Sequence, residues 1–425
     1  MVKYKFIVKK PQENTSNTSN ISDTSYTKLS IDLTKKIKKE EKKKHGIFFT
    51  PPQTIINMIQ LLSPYFENIK DVLEPSCGTC EFILRLNQIH TNLNITGVEL
   101  NKTIFESIKD YETENVKLLN EDFLKHNEQL NYDLVIGNPP FFVMKKEDVE
   151  EQYYDYFGGR PNLFILFIIK SLKLLKQNGL LCFVLPKNFV NCSYYDKTRK
   201  FIRNNFQILN ILECNDKYID TQQDTIVILL KKINQINEIN NDSYSLDKGR
   251  FTIFGTKENI NKLKELYTNS TNLKSMNFNL SIGTVVWNQC KDILTNDNTK
   301  TLLIYSGDIK NKRLEIKSYK NPSKKNFIDK EGNTGPIFVI NRGYGKGAYK
   351  FEYCLIDQEA HYLIENHLIC VKYNIEVNKE ELINLYEKII NSFENEKTSK
   401  FIKLYFGNNA INISELSEIL PIYDI

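Results

Sequence analysis

Apolar residues in the first half of the chain fall into short, nearly unbroken runs, and each run stops at a polar or glycine-containing turn. Residues 72–73, 95–98, 116–119, 134–136, 180–185, 208–212 and 225–230 are of this kind. Runs of that length without strict alternation predict strands buried on both faces, as inside a parallel sheet. Stretches of helical character lie before and between them, at residues 54–62, 81–86, 162–177 and 194–205, the third expected to end at Asn178-Gly179 in a left-handed cap. Strand and helix in alternation predict an α/β, doubly wound sheet with covered faces. The second half is patterned differently. Short strands are predicted at 302–305, 337–340 and 368–371, and two helices at about 379–393 and 398–405. This reads as a smaller mixed α+β domain. The divisions that follow are a low-complexity basic segment at 1–44, a first domain at 45–233, a polar Asn/Ile/Asp linker at 234–246 and a second domain at 247–425.

Composition narrows the class. A chain of 425 residues suits two domains, and 41% hydrophobic with 26% charged residues is ordinary for a soluble globular protein. The longest apolar run, 163–169, stops at Lys170, far short of a membrane span, and the first residues never reach the apolar core of a signal peptide. Eight cysteines without a disulfide spacing fit a reducing compartment. An intracellular protein without a membrane partner is expected. The net charge of +5 permits an acidic partner without demanding one. Residues 11–26 are too polar to fold alone. Residues 35–44, almost all Lys and Glu, read as a solvated helix face or tail, with a phosphate-seeking arm or localisation signal as the alternative.

The candidate chemistry centres on Asp133-Leu134-Val135-Ile136-Gly137-Asn138-Pro139-Pro140-Phe141-Phe142. A buried strand here runs into glycine and two prolines, which stop the hydrogen-bond ladder and stiffen the loop. Loops at the carboxyl ends of strands are where open α/β sheets bind ligands. Asn138 Oδ1 and the Pro139 carbonyl could accept both hydrogens of a planar amine, with Phe141 stacked on its ring. Three earlier strand ends, at Gly78, Glu99 and Asp122, precede it in chain order, with Thr50 ahead of them. Thr50 is placed to cap the helix after it, with Pro51 in the first position. Residues 71–82 form a strand–turn–helix around Gly78, and their Cys77-Gly78-Thr79-Cys80 lacks the second cysteine pair that zinc would need. Glu99 follows about 20 residues past Gly78, the spacing at which a carboxylate meets ribose hydroxyls. Asp122-Phe123 could bind an adenine amino group and cover its ring. Beyond the main loop, residues 145–156 read as a charged, mobile connection.

In order, Gly46-Ile47-Phe48-Phe49-Thr50-Pro51, Leu73-Glu74-Pro75-Ser76-Cys77-Gly78, Gly97-Val98-Glu99, Asp122-Phe123 and Asn138-Pro139-Pro140-Phe141 resemble the gamma-class adenine-N6 DNA methyltransferases, the TaqI-like methylases of type II restriction–modification systems. The resemblance is close from about 46 to 232. It is looser beyond, through Val286-Trp287-Asn288-Gln289, Arg342-Gly343 and the terminal helices. It implies a Rossmann-like sheet that uses S-adenosylmethionine (SAM), followed by a target-recognition domain. Cofactor residues would be Thr50, Glu74, Ser76, Cys77, Gly78, Glu99, Leu100, Asp122, Phe123, Asn138 and Pro139. Catalysis would fall to Asn138, Pro139, Pro140 and Phe141, with Tyr218 as a second aromatic, acting on an adenine swung out of duplex DNA and needing no metal. Candidate DNA contacts are Lys310, Lys312, Arg313, Lys324, Lys325, Arg342 and Lys346, with Arg342 singled out for base reading. The implied partners are double-stranded DNA and a separate cognate restriction endonuclease, with the chain a monomer or dimer. Two positions depart from the pattern: Cys80 stands where many relatives have glycine, which could displace the cofactor loop slightly, and Phe141 replaces a commoner tyrosine. An RNA adenine-N6 methyltransferase, a protein glutamine-N5 methyltransferase and an inactive DNA-specificity subunit remain as alternatives.

Overall fold

The computed structural model describes residues 25–126, 131–221, 223–234, 236–342, 351–406 and 411–423. It divides into two compact units, Met1–Asn241 and Asp242–Ile425. No helix among the described residues is long and apolar enough to cross a membrane.

The first unit contains, in chain order, α1 (Lys28–Lys36), α2 (Lys39–His45), α3 (Pro52–Leu62), β1 (Asp71–Glu74), α4 (Glu81–Ile89), β2 (Asn94–Val98), α5 (Lys102–Ile108), β3 (Val116–Leu119), β4 (Tyr132–Gly137), α6 (Leu163–Lys173), β5 (Leu175–Pro186), α7 (Asp196–Asn205), β6 (Phe206–Cys214) and β7 (Thr225–Lys232). Its described strands make one seven-stranded sheet in the order β3-β2-β1-β4-β5-β7-β6. The strand order turns at β1 and β4, whose carboxyl ends carry the loops singled out above. Leu134, Val135 and Ile136 at the centre are fully buried, as an unbroken apolar run requires.

The sheet is not wholly parallel, since β7 runs antiparallel to both β5 and β6. The loop 215–224 is too short for a helical crossover, so the chain turns straight back. Helix α6 ends at Lys173 rather than running on to Gln177. Leu175 is drawn in beside Tyr132, and the register then steps to Leu134 opposite Leu180. Lys176 fastens this step by donating to Asp71 Oδ2 at 2.6 Å and Asp133 Oδ2 at 3.0 Å. Asn178, with φ of 65°, therefore belongs to a kink in β5 and not to a helix cap. The connection at 145–156 is built from two 3-10 turns in which Val149 and Tyr153 are buried, so apolar anchors hold a segment that its charge made look loose.

The basic segment also departs from expectation. From Lys28 onward it folds into α1 and α2, while residues 11–24 of the polar tract lie outside the described residues. Leu29, Leu33 and Ile37 recur every four residues, and Leu33 and Ile37 pack with Ile104, Ile47 and Phe49. The lysines had hidden that stripe.

The second unit runs β8 (Ser245–Lys248), β9 (Phe251–Phe254), α8 (Lys257–Tyr267), β10 (Phe278–Ile282), β11 (Leu294–Thr295), β12 (Thr301–Ile304), β13 (Ile309–Lys310), β14 (Arg313–Leu314), β15 (Phe327–Ile328), β16 (Ile337–Asn341), β17 (Tyr353–Ile356), β18 (Tyr362–Ile364), β19 (Leu368–Tyr373), α9 (Lys379–Glu394), α10 (Glu396–Phe401) and α11 (Ile413–Glu418). The described strands form two four-stranded sheets, β10-β19-β16-β17 and β11-β15-β12-β18, and two hairpins. One sheet face and the helices enclose a core rich in aromatic rings, among them Phe338, Tyr386, Phe393 and Phe401.

Candidate active site

The loop between β1 and α4 is shaped by backbone. Cys77 N–H donates to the Val98 carbonyl at 2.8 Å, and Cys80 N–H returns to the Cys77 carbonyl at 2.8 Å. Gly78 has φ of +51°, which glycine adopts without strain, and the Phe49 ring lies 3.5 Å from where a Cβ would stand. Cys80 also lies in the left-handed region, at φ of 62°. It holds the conformation a glycine would take, at a cost on the order of 1–2 kcal/mol.

Glu99 ends β2 with its carboxylate aimed back at this loop. Oε2 accepts from Gly78 N–H at 3.0 Å and Oε1 from Asn101 N–H at 2.6 Å. Each oxygen keeps a lone pair for a further donor, which suits a pair of ribose hydroxyls. Burial pushes the carboxyl up to about 7, against the pull of those N–H groups. Leu100 beside it is 63% exposed, an apolar surface next to a polar grip. Glu74 is buried beneath the loop with Oε2 unpartnered, and burial first, then the neighbouring Cys80, Glu99 and Glu81, hold its carboxyl well above the usual range. Asp122 Oδ1 caps a 3-10 turn through Leu124 N–H at 3.0 Å. Phe123 is buried with its ring 4.9 Å from Phe167, part of the packed wall behind Asp122 rather than a free cover. Thr50 is buried but caps nothing: Pro51 is the residue at the helix end and Pro52 opens α3, one residue later than expected.

The β4 loop is braced from two sides. Ser76 Oγ donates to the Asn138 carbonyl at 3.1 Å, tying it to the β1 loop. On the other side, Asn138 Nδ2 donates to the Phe48 carbonyl at 3.3 Å. A carbonyl can only accept, so this contact fixes which way the amide faces. Among the described residues, Asn138 Oδ1 is buried and has no hydrogen-bond partner. A buried acceptor in that state costs about 1–3 kcal/mol, a cost that a ligand donor would remove. Among the described residues no backbone donor reaches the Pro139 carbonyl. Phe141 is half-buried, with its ring 5.8 Å from Phe164 in an edge contact. Tyr218 is 7% exposed, and the side chains of Thr225 and Asn138 lie beside its hydroxyl. Burial raises its phenol far above the ordinary value. Its ring lines a small cavity with Phe48, Phe49, Thr34 and Lys42.

Residues 76–219 match the family described as Eco57I restriction-modification methylase. The match lies within the first unit, which is similar to the restriction–modification methylases. A modification methylase, CviBIII, from Paramecium bursaria Chlorella virus NC1A is 35% identical over 181 residues, 42% of this chain and 47% of its own. The type II methyltransferase M.CvrRI from Paramecium bursaria Chlorella virus XZ-6E is 25% identical over 400 residues, 93% of this chain and 98% of its own. M.AccI from Acinetobacter calcoaceticus is 33% identical over 172 residues, 38% of this chain and 32% of its own. The chain thus spans less than half the length of the first and third relatives and nearly all of the second.

S-adenosylmethionine is the cofactor that the likeness to this methylase family implies. The residues fit it: a loop opened by Gly78, a Glu99 carboxylate with lone pairs to spare and an exposed Leu100 lie together at the carboxyl edge of β1 and β2. Cofactor affinity is expected to rise as pH climbs towards about 7 and to level off above it. Hydroxyl donors favour the ionised Glu99, so binding below that pH must expel its proton. Glu99→Gln should bind roughly tenfold more weakly, about 1.4 kcal/mol, and lose this slope. Calorimetric titration across pH 5.5–8.5 checks both; an unchanged slope in the variant removes Glu99 from the cofactor site.

Sequence reading missed several parts of the first unit. Thr27 and Ser30 donate to Glu81, the Ser30 hydroxyl also meets that of Thr79, and Lys42 pairs with Asp220. The apolar stripe of α1 and its Thr27 cap were the available signals.

The basic candidates of the second unit separate. Lys310, Lys312 and Arg313 sit on the β13–β14 hairpin, where Asn311 and Lys312 both have positive φ, as a tight two-residue turn demands. All three are exposed, with Lys312 paired to Glu394 Oε1 at 2.9 Å. Lys325 donates to the Leu294 carbonyl at 3.2 Å, and Arg342 is half-buried. Lys346 and the glycine-rich turn 343–347 lie outside the described residues. Lys324 is not a free phosphate contact. Its ammonium sits 4.0 Å from the Tyr305 ring centre and 3.9 Å from that of Tyr319. Burial lowers its pKa, while Glu365 and Asp308 hold it charged. Lys324→Met is therefore expected to destabilise the protein by about 1–2 kcal/mol, read as a lower denaturant midpoint.

Proposed function

We propose that the chain is a site-specific DNA methyltransferase that moves a methyl group from S-adenosylmethionine to N6 of an adenine swung out of a duplex. The observation that carries this reading is the Asn138 amide, oriented by the Phe48 carbonyl so that Oδ1 stays buried and unpaired. An exocyclic amine is a poor nucleophile, because its lone pair is delocalised into the ring. Asn138 Oδ1 and the Pro139 carbonyl can accept its two protons together, which favours a pyramidal nitrogen with the lone pair directed outward. The bound cofactor supplies an activated methyl on a sulfonium. The chain's own contribution is position and preorganised dipoles; once the methyl has left the sulfonium sulfur for nitrogen, the methylated amine is a strong acid and releases its surplus proton to water without a dedicated general base. Swinging out the base costs a few kcal/mol. Stacking on Phe141, and on Tyr218 once its ring is uncovered, offsets this by about 1–3 kcal/mol per base.

Duplex DNA as the substrate is supported by the restriction–modification family and by the exposed hairpin bearing Lys310, Lys312 and Arg313, and a separate cognate endonuclease completes the reading. Arg313→Ala should lower the slope of log affinity against log salt by about 1, as one lost phosphate contact does. Lys324→Met should leave that slope unchanged. Equal slopes in all three proteins take Arg313 off the DNA. The deciding experiment is transfer of labelled methyl to unmethylated duplex DNA, with the product nucleoside identified. N6-methyladenine at one short motif is expected; label in cytosine, RNA or protein overturns the reading.

A further inference from the structure

The base-side loop 215–224 is anchored on either side of Tyr218. Thr54 Oγ1 donates to Asp216 Oδ2 at 2.8 Å, and Lys42 forms an ion pair with Asp220. Lys42 belongs to a run of lysines that the sequence presents as solvent-facing, yet its side chain is only 7% exposed. Nζ also donates to the Thr34 carbonyl at 2.7 Å, which links α2 back to α1. The far end of the same helical pair grips the cofactor loop. Ser30 is fully buried, with Oγ 2.7 Å from Thr79 Oγ1 and 2.8 Å from Glu81 Oε1. Thr27 donates to that same oxygen from its hydroxyl at 2.8 Å and its N–H at 3.1 Å. Thr79 and Glu81 stand immediately after Gly78 and Cys80. One short segment, Thr27 to Lys42, therefore touches both loops that flank Asn138.

We propose that α1 and α2 are a clasp that sets the two substrate loops in place, with Ser30 a positioning residue for the cofactor loop and Lys42 a positioning residue for the Tyr218 loop. This rests on the methyltransferase reading above and assigns that site residues outside its recognised motifs. The physical case is rigidity. A ten-residue loop bearing an aromatic platform has many conformations, and the anchors at Asp216 and Asp220 remove most of them before a base arrives. Lys42 spans from helix to loop as a buried charge whose Coulomb and hydrogen-bond partners are both satisfied, so removing it releases Asp220 from the helix and takes the ammonium donor from the Thr34 carbonyl. Each end of the clasp faces a different ligand, so the two ends separate experimentally.

The test uses the full chain and a duplex of the methylated motif carrying 2-aminopurine at the target adenine. Lys42→Met is expected to raise KM for DNA about tenfold, the size of losing one charge-assisted contact, and to weaken the fluorescence rise of the flipped probe. SAM affinity should stay within about twofold of wild type in that variant. Lys42→Arg should restore most of both signals. Ser30→Ala should do the reverse, weakening SAM roughly fivefold with little change in the probe. If Lys42→Met does not fold, Asp220→Asn removes the same ion pair from the exposed side and should reproduce the DNA defect. Wild-type KM and probe signal in a folded Lys42→Met protein overturn the clasp, as do equal losses for both ligands in both variants. A wild-type chain that neither methylates nor lights the probe overturns the DNA reading and, with it, the role of Lys42.

Discussion

Asn138→Ala should lower methyl transfer by about 10²–10³-fold, the usual loss for one preorganised polar group at a reacting centre, while SAM still binds. The asymmetry follows from where the side chain points. Its Nδ2 is spent on the Phe48 carbonyl, and Oδ1 has no hydrogen-bond partner among the described residues. The Asn138 main-chain carbonyl, which accepts from Ser76 Oγ and so joins the loop to the cofactor side, survives the change. Asn138→Asp is the informative companion. It retains an acceptor but sets a second oxygen against the Phe48 carbonyl, so the group should swing away, and an intermediate loss is expected. Single-turnover rates at saturating SAM, with the cofactor Kd measured separately, read both effects. Turnover at the wild-type rate in Asn138→Ala would falsify the assignment of the amine-holding role.

Gly46→Ala is expected to be nearly as damaging, although Gly46 touches no substrate. Gly46 ends α2 at φ of +66°, and a Cβ there would stand 2.9 Å from Phe141 N and 3.0 Å from Pro140 Cβ. The obstacles are main chain and a proline ring, neither of which can turn aside. The left-handed conformation adds about 1–2 kcal/mol for a residue with a side chain. Relief must come from moving the two loops apart, and Phe48, which orients the Asn138 amide, lies only two residues away. Turnover should fall about a hundredfold, about 2.7 kcal/mol in the barrier, with a lower melting temperature and nearly unchanged SAM affinity. A variant that melts early yet turns over normally would show that the contact serves stability alone.

The rest of the design divides by how local its signal is. The buried strands were legible because an apolar run closed by glycine or proline is written in adjacent residues. So were Gly78, Glu99 and the Asn138-Pro139-Pro140 loop, whose spacing follows from strand and helix lengths. Three features were not. The antiparallel β7 depends on a loop length whose consequence appears only when β5 offers it an edge. The end of α6 depends on Leu175 being more stable beside Tyr132 than in another helical turn. Lys324 looks like any surface lysine until Tyr305, Tyr319 and the acids behind them close around it.

What the sequence by itself determined is the order of strands and helices, the glycine turn after β1 and the stiff proline loop after β4, because backbone restriction and hydrophobic period act between near neighbours. What only the tertiary structure decided is orientation and anchorage. Asn138 meets Phe48 across 90 residues and Lys42 meets Asp220 across 178. No local preference of either residue encodes such a pairing; it exists because packing the sheet and its covering helices brings donor to acceptor, and a buried donor such as the Lys42 ammonium is too costly to leave unpaired.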